Sequence, residues 1–298
     1  MPENSSKRIW IVASLVALIV LAVGAWFWGR PAYHRYKAER TYKQARAFIE
    51  KGDLNNATLS LRQTLSLNPA NADAVRTMAE LMTRAQSPGA VAWWRRVVEL
   101  DPAFSNKVML AAVALRFEKP PFPIASETLE QIKAAGETNV AYHLVCARRA
   151  IRLNRIPEAQ AHLQTATRLE PTNYLHQLNL AVLRLQDRDA SVAEAAQREL
   201  TALTSHPKFG ENALRSLSAD AARRRQFAEA QRYSEQLLAL PQANFDDLIH
   251  HLTILHESKS AELPAWIGRI QDRASTNAPQ VATVAIWLKT SNRPREAL

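Results

Sequence analysis

The chain has 298 residues, with 38 Lys or Arg against 28 Asp or Glu for a formal charge of +10, only 7 glycines, and one cysteine, Cys146. A single cysteine excludes a disulfide-framed secreted fold, and scarce glycine among stretches rich in helix formers argues for an all-α chain. The basic excess favours acidic partners such as peptides, phospholipid headgroups or nucleic acid, yet no RNP-like strand, zinc-finger spacing or recognition-helix signature supports the last.

Residues 1–8 form a short basic tail containing Lys7 and Arg8. Residues 9–28, IWIVASLVALIVLAVGAWFW, carry no charge and only one polar side chain, Ser14. At 1.5 Å per residue this run covers the roughly 30 Å hydrocarbon core of a bilayer, so a transmembrane helix is expected. Trp26, Phe27 and Trp28 stand where aromatic rings favour the headgroup layer. The rival reading is a cleaved secretory signal, with Lys7 and Arg8 in front and small residues at Val23-Gly24-Ala25. Against it, the apolar run is long for a signal and continues through three aromatics after Ala25. A buried core helix is the third reading, but a helix apolar on every face has little use in a thin helical array.

Residues 29–37 read as a juxtamembrane basic segment in which Gly29, Arg30 and Pro31 end the apolar run. Arg30, Arg35, Lys37, Arg40, Lys43 and Arg46 follow it; by the positive-inside rule this larger cluster holds the C-terminal part in the cytoplasm. A short basic tail ahead of one apolar segment is equally the pattern of exported, N-terminally anchored proteins, so the two signals oppose each other. The same cations suit anionic lipid, each worth about 1 kcal/mol near such a surface. A solvated helical face accounts for them as well.

From residue 38 onward the chain is periodic. One unit runs from Thr41 to Ala72, a second closes at Pro102, 33 residues after Pro69, and a third well-formed unit closes at Pro171, 69 residues after Pro102. The last gap leaves room for one degenerate unit. Small residues and turns recur in phase: Ala45, Gly52-Asp53, Ala57 and Pro69; then Ala79, Ala90 and Pro102 with a shortened turn around Pro88-Gly89; then Ala147, Asn154, Ala159 and Pro171. Leu54, Leu61, Ile156 and Leu163 hold the matching apolar places.

These residues resemble the tetratricopeptide repeat family, in which small residues let paired helices approach and a proline closes each unit. The resemblance covers about residues 38–298 and implies an all-α solenoid of six to seven antiparallel helix pairs. Weaker units use Ala112 and Leu115, with a corner at Lys119-Pro120-Pro121-Phe122-Pro123 and a helix through Leu129 and Ile132; Ala181, Ala195, Leu200 and Leu203, closing near Pro207; and Leu217, Phe227, Ala230, Leu237 and Pro241. Phe245–His256 and Leu263–Arg273 form a further divergent pair, and Val281–Leu288 a first helix with its turn at Asn292-Arg293. The last repeat is incomplete at Leu298, and an atypical end and a longer natural chain both fit, the second being the expectation.

Projected on the family pattern, the first helix of each pair lines the ligand groove, which places Lys43, Arg46, Arg76, Arg148, Arg152 and Arg215 on or beside it. Arginine gives bidentate contacts to carboxylate or phosphate, so an acidic or C-terminal peptide segment is the expected ligand. The asparagine partners of a terminal-carboxylate clamp are missing beside Arg76 and Arg148. Long basic side chains that merely keep a helical surface soluble are the plain alternative.

No Walker loop, dinucleotide fingerprint, HExxH site or nucleophile elbow occurs, so neither an enzyme nor a cofactor is expected. Cys146 sits beside the small Ala147, a packing position. His250, His251 and His256 are spaced so that they do not converge on a metal. Trp94 falls inward; Trp93 either contacts a partner or membrane or packs on the preceding unit. The whole reads as a membrane-anchored, non-catalytic scaffold for protein or peptide partners in an envelope or secretion complex. An adaptor arm of a longer protein with its effector domain elsewhere is the runner-up, and a polysaccharide binder with aromatic groove residues the third reading.

Overall fold

The computed structural model describes residues 30–274 and 276–293. Among them are sixteen helices and no strand. Contacts divide the chain into two compact units, one up to Glu137 and one from Thr138. The first holds α1 (Arg30–Glu50), α2 (Leu54–Leu67), α3 (Ala72–Arg84), α4 (Ala90–Leu100), α5 (Phe104–Phe117), α6 (Pro123–Gln131) and a single turn, α7 (Lys133–Gly136). The second holds α8 (Val140–Arg152), α9 (Ile156–Leu169), α10 (Tyr174–Arg184), α11 (Ala190–Leu203), α12 (Gly210–Arg223), α13 (Phe227–Leu238), α14 (Phe245–Glu257), α15 (Leu263–Ala274) and α16 (Ala278–Thr290). Consecutive helices pack as pairs, three in the first unit and four followed by α16 in the second.

The expected membrane span, residues 9–28, lies outside the described residues, as does the chain after Arg293. Among the described residues no helix is long and apolar enough to cross a membrane. Residues 30–37, read from the sequence as a segment ahead of the repeats, belong to α1 itself.

One backbone device recurs at the ends of the first helices. Gly52, Gln86, Asn154, Arg225, Lys259 and Asn292 all have positive φ between 55° and 75°. In each case that residue's N–H bonds three residues back while the next N–H bonds five back: Gln86 to Thr83 and Ser87 to Met82, Lys259 to His256 and Ser260 to Leu255. This left-handed cap satisfies helix carbonyls that would otherwise have no partner. Only one of the six is glycine, which is why the sequence located the second turn at Pro88-Gly89 although its left-handed residue is Gln86. Asn71, Asn139, Asn173, Asn244 and Asn277 open first helices by accepting from backbone N–H groups with their side chains.

The core is a row of small residues flanked by leucines. Ala45, Ala57, Ala79, Ala90, Ala147 and Ala159 are all buried, as are Leu61 and Leu163. Leu54 departs from the expected pattern: it opens α2 and is 46% exposed. Two small-residue positions shift by one, because Ala111 rather than Ala112, and Ala196 rather than Ala195, faces inward. At the proline corner Phe122 is buried with φ 59°, and the Glu118 carboxylate accepts from the N–H groups of Ile124 and Ala125, capping α6 in place of a regular turn. That helix ends at Gln131, so Ile132 is the kink before α7 and not a helical position. Trp94 is buried with its Nε1–H donating to Thr83 Oγ1 at 2.9 Å, and Trp93 packs between its own pair's cluster and that of the preceding pair.

Candidate interaction surface

The six basic residues expected at the groove all lie on first helices, and the structure sorts them into two groups. Lys43 and Arg46 are exposed, one turn apart on α1; Arg148 and Arg152 are exposed, one turn apart on α8. Arg46 and Arg148 each follow the buried alanine of their helix, Ala45 and Ala147, and so hold the same repeat position. Beside Arg148 and Arg152, Ile151 is 44% exposed, and Leu175 at the start of the next first helix is 43% exposed. An exposed apolar side chain and two cations thus stand together on α8.

Arg76 and Arg215 are instead committed to neighbouring repeats. Arg76 donates to Asn106 Oδ1 at 2.8 Å and Asp101 Oδ2 at 3.1 Å. Arg215 donates through Nε and Nη2 to both carboxylate oxygens of Asp247, at 2.7 and 2.9 Å, and also to Glu211 and Asn212. Burial pushes the Asp247 carboxyl up, but the Arg215 guanidinium and the Asn244 N–H outweigh it and hold the group below the usual carboxylate range. The hydrogen bond from Arg215 to Asp247 in turn raises the Arg215 guanidinium. Neither arginine presents a free fork to a ligand.

The histidines expected to diverge do so. His251 is buried, bonded through Nδ1 to Ser234 Oγ at 2.7 Å and set against the edge of Trp266; His250 Nε2 meets Ser218 Oγ at 3.1 Å; His256 faces Trp287. Ser218 and Ser234 are themselves fully buried, so these contacts tie α12 and α13 to α14 inside the packing. Burial lowers the pKa of both His250 and His251. No cluster of three or more metal-ligating side chains occurs among the described residues. Cys146 is buried beside Ala147.

Sequence reasoning missed two features. His143 and His162 bring their Nδ1 atoms to 2.9 Å across α8 and α9, with Tyr142 edge-on to both rings. Their separation of 19 residues matches no ligand spacing. A cleft of about 990 Å³ opens between α9, α10 and α11, with Arg168, Tyr174, Gln177, Leu180, Arg184 and Leu203 on its walls. It borders the pair α10–α11, whose connection, Leu185–Asp189, has no left-handed residue.

No family model matches the sequence, and comparison with curated proteins gives no match. Solved structures do match. The chain is similar to the C-terminal part of a TPR repeat-containing protein from Cytophaga hutchinsonii, at TM-score 0.53 and 14% identity over 77% of this chain and 93% of that one. It is also similar to the MamA RS-1 ArsTM double mutant, at TM-score 0.50 and 16% identity over 56% of this chain and 94% of that one. With the repeated helix pairs, these likenesses identify the fold as a tetratricopeptide-type α-solenoid.

Proposed function

We propose that the protein is a non-catalytic scaffold, tied to a membrane by residues 9–28, whose solenoid binds acidic peptide segments or partner proteins on its first-helix side. The observation that carries the binding reading is the neighbouring of exposed Arg148 with the exposed apolar side chain of Ile151, one turn on along α8. A peptide that buries an apolar side chain there finds a guanidinium beside it for a carboxylate, the combination that gives a groove both affinity and orientation. A fold made for side-by-side helices supports this use, and the Ser–His contacts, sealed in the packing, support binding without turnover.

The anchor reading rests on the length and apolarity of residues 9–28. A tethered groove meets a membrane partner at raised effective concentration, so weak contacts suffice. Assembly of an envelope or secretion complex is the role such an arrangement fits. Crosslinking in native membranes tests it, comparing the wild type with an Arg148→Glu, Ile151→Ser variant of unchanged helix content. A discrete partner captured by the wild type and lost in the variant is expected; a partner retained in both moves the binding site elsewhere.

A further inference from the structure

The face of α1 turned away from the solenoid has a composition unlike a plain solvated surface. Ala38, Thr41 and Ala45 form its buried side, with Thr41 Oγ1 meeting Thr64 Oγ1 of α2 at 2.9 Å. Directly opposite, at spacings of three and four, stand Tyr33, Tyr36, Arg40 and Lys43, all exposed. Tyr33 and Tyr36 are 60% and 68% exposed, and no large apolar side chain among the described residues is more exposed than Tyr36. Arg35 and Lys37 flank the stripe, and Glu39, also exposed, is the one acid beside it between positions 33 and 43.

We infer that this stripe lies flat on an anionic bilayer surface, with the tyrosine rings in the headgroup layer and Arg40 and Lys43 on lipid phosphates. The inference rests on the membrane-anchor reading and goes beyond it, because a tether alone leaves α1 free to project from the membrane. Three observations point to lipid as the occupant. The stripe begins five residues after Trp28, the end of the apolar run, so its first ring is held at the level of the interface. Tyrosine beside cations is the pairing that headgroups favour, one end of each ring apolar and the other wet. The net charge is positive, four cations between positions 35 and 43 against Glu39, and complementary to anionic phospholipid. Lys43 is then a lipid contact, which leaves the peptide groove to the second unit.

Orientation makes the inference measurable. Ala47 is exposed and continues the same stripe one turn beyond Lys43. It lies 17 residues from Arg30, about 25 Å along the helix. In a projecting helix position 47 is far out in water; in a flat one it stays at the surface. The experiment places a spin label at Ala47→Cys in the full chain, with Cys146→Ala to leave one thiol, and reconstitutes it into vesicles of phosphatidylcholine alone or with phosphatidylglycerol. A second label at Gln63→Cys, exposed on α2, serves as the reference. The expected result is a several-fold rise, in the anionic vesicles only, of relaxation by a lipid-soluble agent relative to a water-soluble one at position 47. Position 63 stays in water. The effect is lost in 1 M salt, where the screening length is about 3 Å, and in an Arg40→Glu, Lys43→Glu variant. A probe at position 47 that reports water in anionic vesicles overturns the inference. Flotation with phosphatidylcholine vesicles in alkaline carbonate reads the anchor separately: a chain that floats with position 47 in water has its anchor but no docked stripe.

Discussion

Arg215 and Asp247 form a bidentate ion pair that joins two successive first helices, α12 and α14. The pairing has a counterpart in the first unit. Arg215 stands ten residues before the left-handed Arg225, and Arg76 stands ten before the left-handed Gln86. Asp247 and Asn106, their acceptors, each stand five residues before a buried residue of the next first helix, Leu252 and Ala111. One repeat position therefore supplies the arginine and another the acceptor, a staple from repeat to repeat. Of the two first-helix acceptors Asp247 is the charged one, Arg76 finding its carboxylate at Asp101 before the next helix, and Asp247 is 3% exposed against 34% for the Arg215 side chain.

Removing one partner of that pair leaves the other uncompensated, which sets the first prediction. Asp247→Ala destabilises the chain by about 1–3 kcal/mol, below the 3–5 kcal/mol of a fully buried pair because Arg215 is partly solvated. The Asn244 capping box loses its reciprocal bond in the same variant. Urea denaturation of Asp247→Ala, Arg215→Met and the double variant measures the coupling; additive losses mean that the pair contributes nothing of its own. The sign of the pH dependence follows from the lowered carboxyl. Its contribution is fully present above the unfolded value near pH 4 and is lost as pH falls through the lower folded value, so Asp247→Asn abolishes that part of the acid limb.

The left-handed caps set a second prediction. A side chain with Cβ is strained where glycine is not, so Lys259→Gly stabilises by about 0.5–1 kcal/mol, and Gln86→Gly does the same. At Gly52 a Cβ would meet nothing within 4 Å, so Gly52→Ala tests the conformational term free of any clash and costs about 1 kcal/mol. Thermal midpoints that move in the opposite directions refute the assignment of these six residues as helix-ending caps.

Close approach at small residues sets a third. Ala147 is 2% exposed between α8 and α9, and Ala147→Leu overpacks that contact at about 1–3 kcal/mol. At Gly210 an added Cβ would clash with the Thr204 carbonyl oxygen, and that neighbour is backbone, which cannot swing aside. Gly210→Ala is therefore expected to cost at least as much as Ala147→Leu. An unchanged unfolding midpoint in Ala147→Leu places the repeat phase in error, and one in Gly210→Ala refutes the close approach to Thr204.

The alanine and leucine rhythm made the helix pairs legible, because small residues at fixed spacing mean close helix approach whatever else drifts. The pair Phe245–His256 and Leu263–Arg273 lies within one residue of the helices at each end. Turns were legible only where their chemistry was explicit: Gly52 and Asn154 advertise left-handed backbone, whereas Gln86, Arg225 and Lys259 are driven into it by the helices on either side. The candidate surface was half legible. Position on a first helix could be read for all six basic residues, but whether a guanidinium is free depends on an acceptor some thirty residues on. Arg215 reaches Asp247 across 32 positions and Arg76 reaches Asn106 across 30, beyond any local pattern.

The histidines packed between helices set the last prediction. Burial lowers the pKa of His162, with the charge on His143 acting in the same sense and Glu158 opposing it; burial likewise lowers His250 and His251. A histidine lowered in the folded state stays neutral while its unfolded counterpart takes a proton near pH 6.5. The unfolded chain then binds more protons, so stability is full above about pH 6.5 and declines as pH falls from there through the folded values. The geometry at His162 agrees, since its Nδ1 stands 2.9 Å from His143 Nδ1 with room for one hydrogen between them. Thermal unfolding between pH 7.5 and pH 5 is expected to show a falling midpoint well above the carboxylate range. His162→Gln keeps a hydrogen-bonding group opposite His143 without a titrating ring, and it makes that decline shallower. An identical slope in the variant removes His162 from the account and leaves His250 and His251 to carry it.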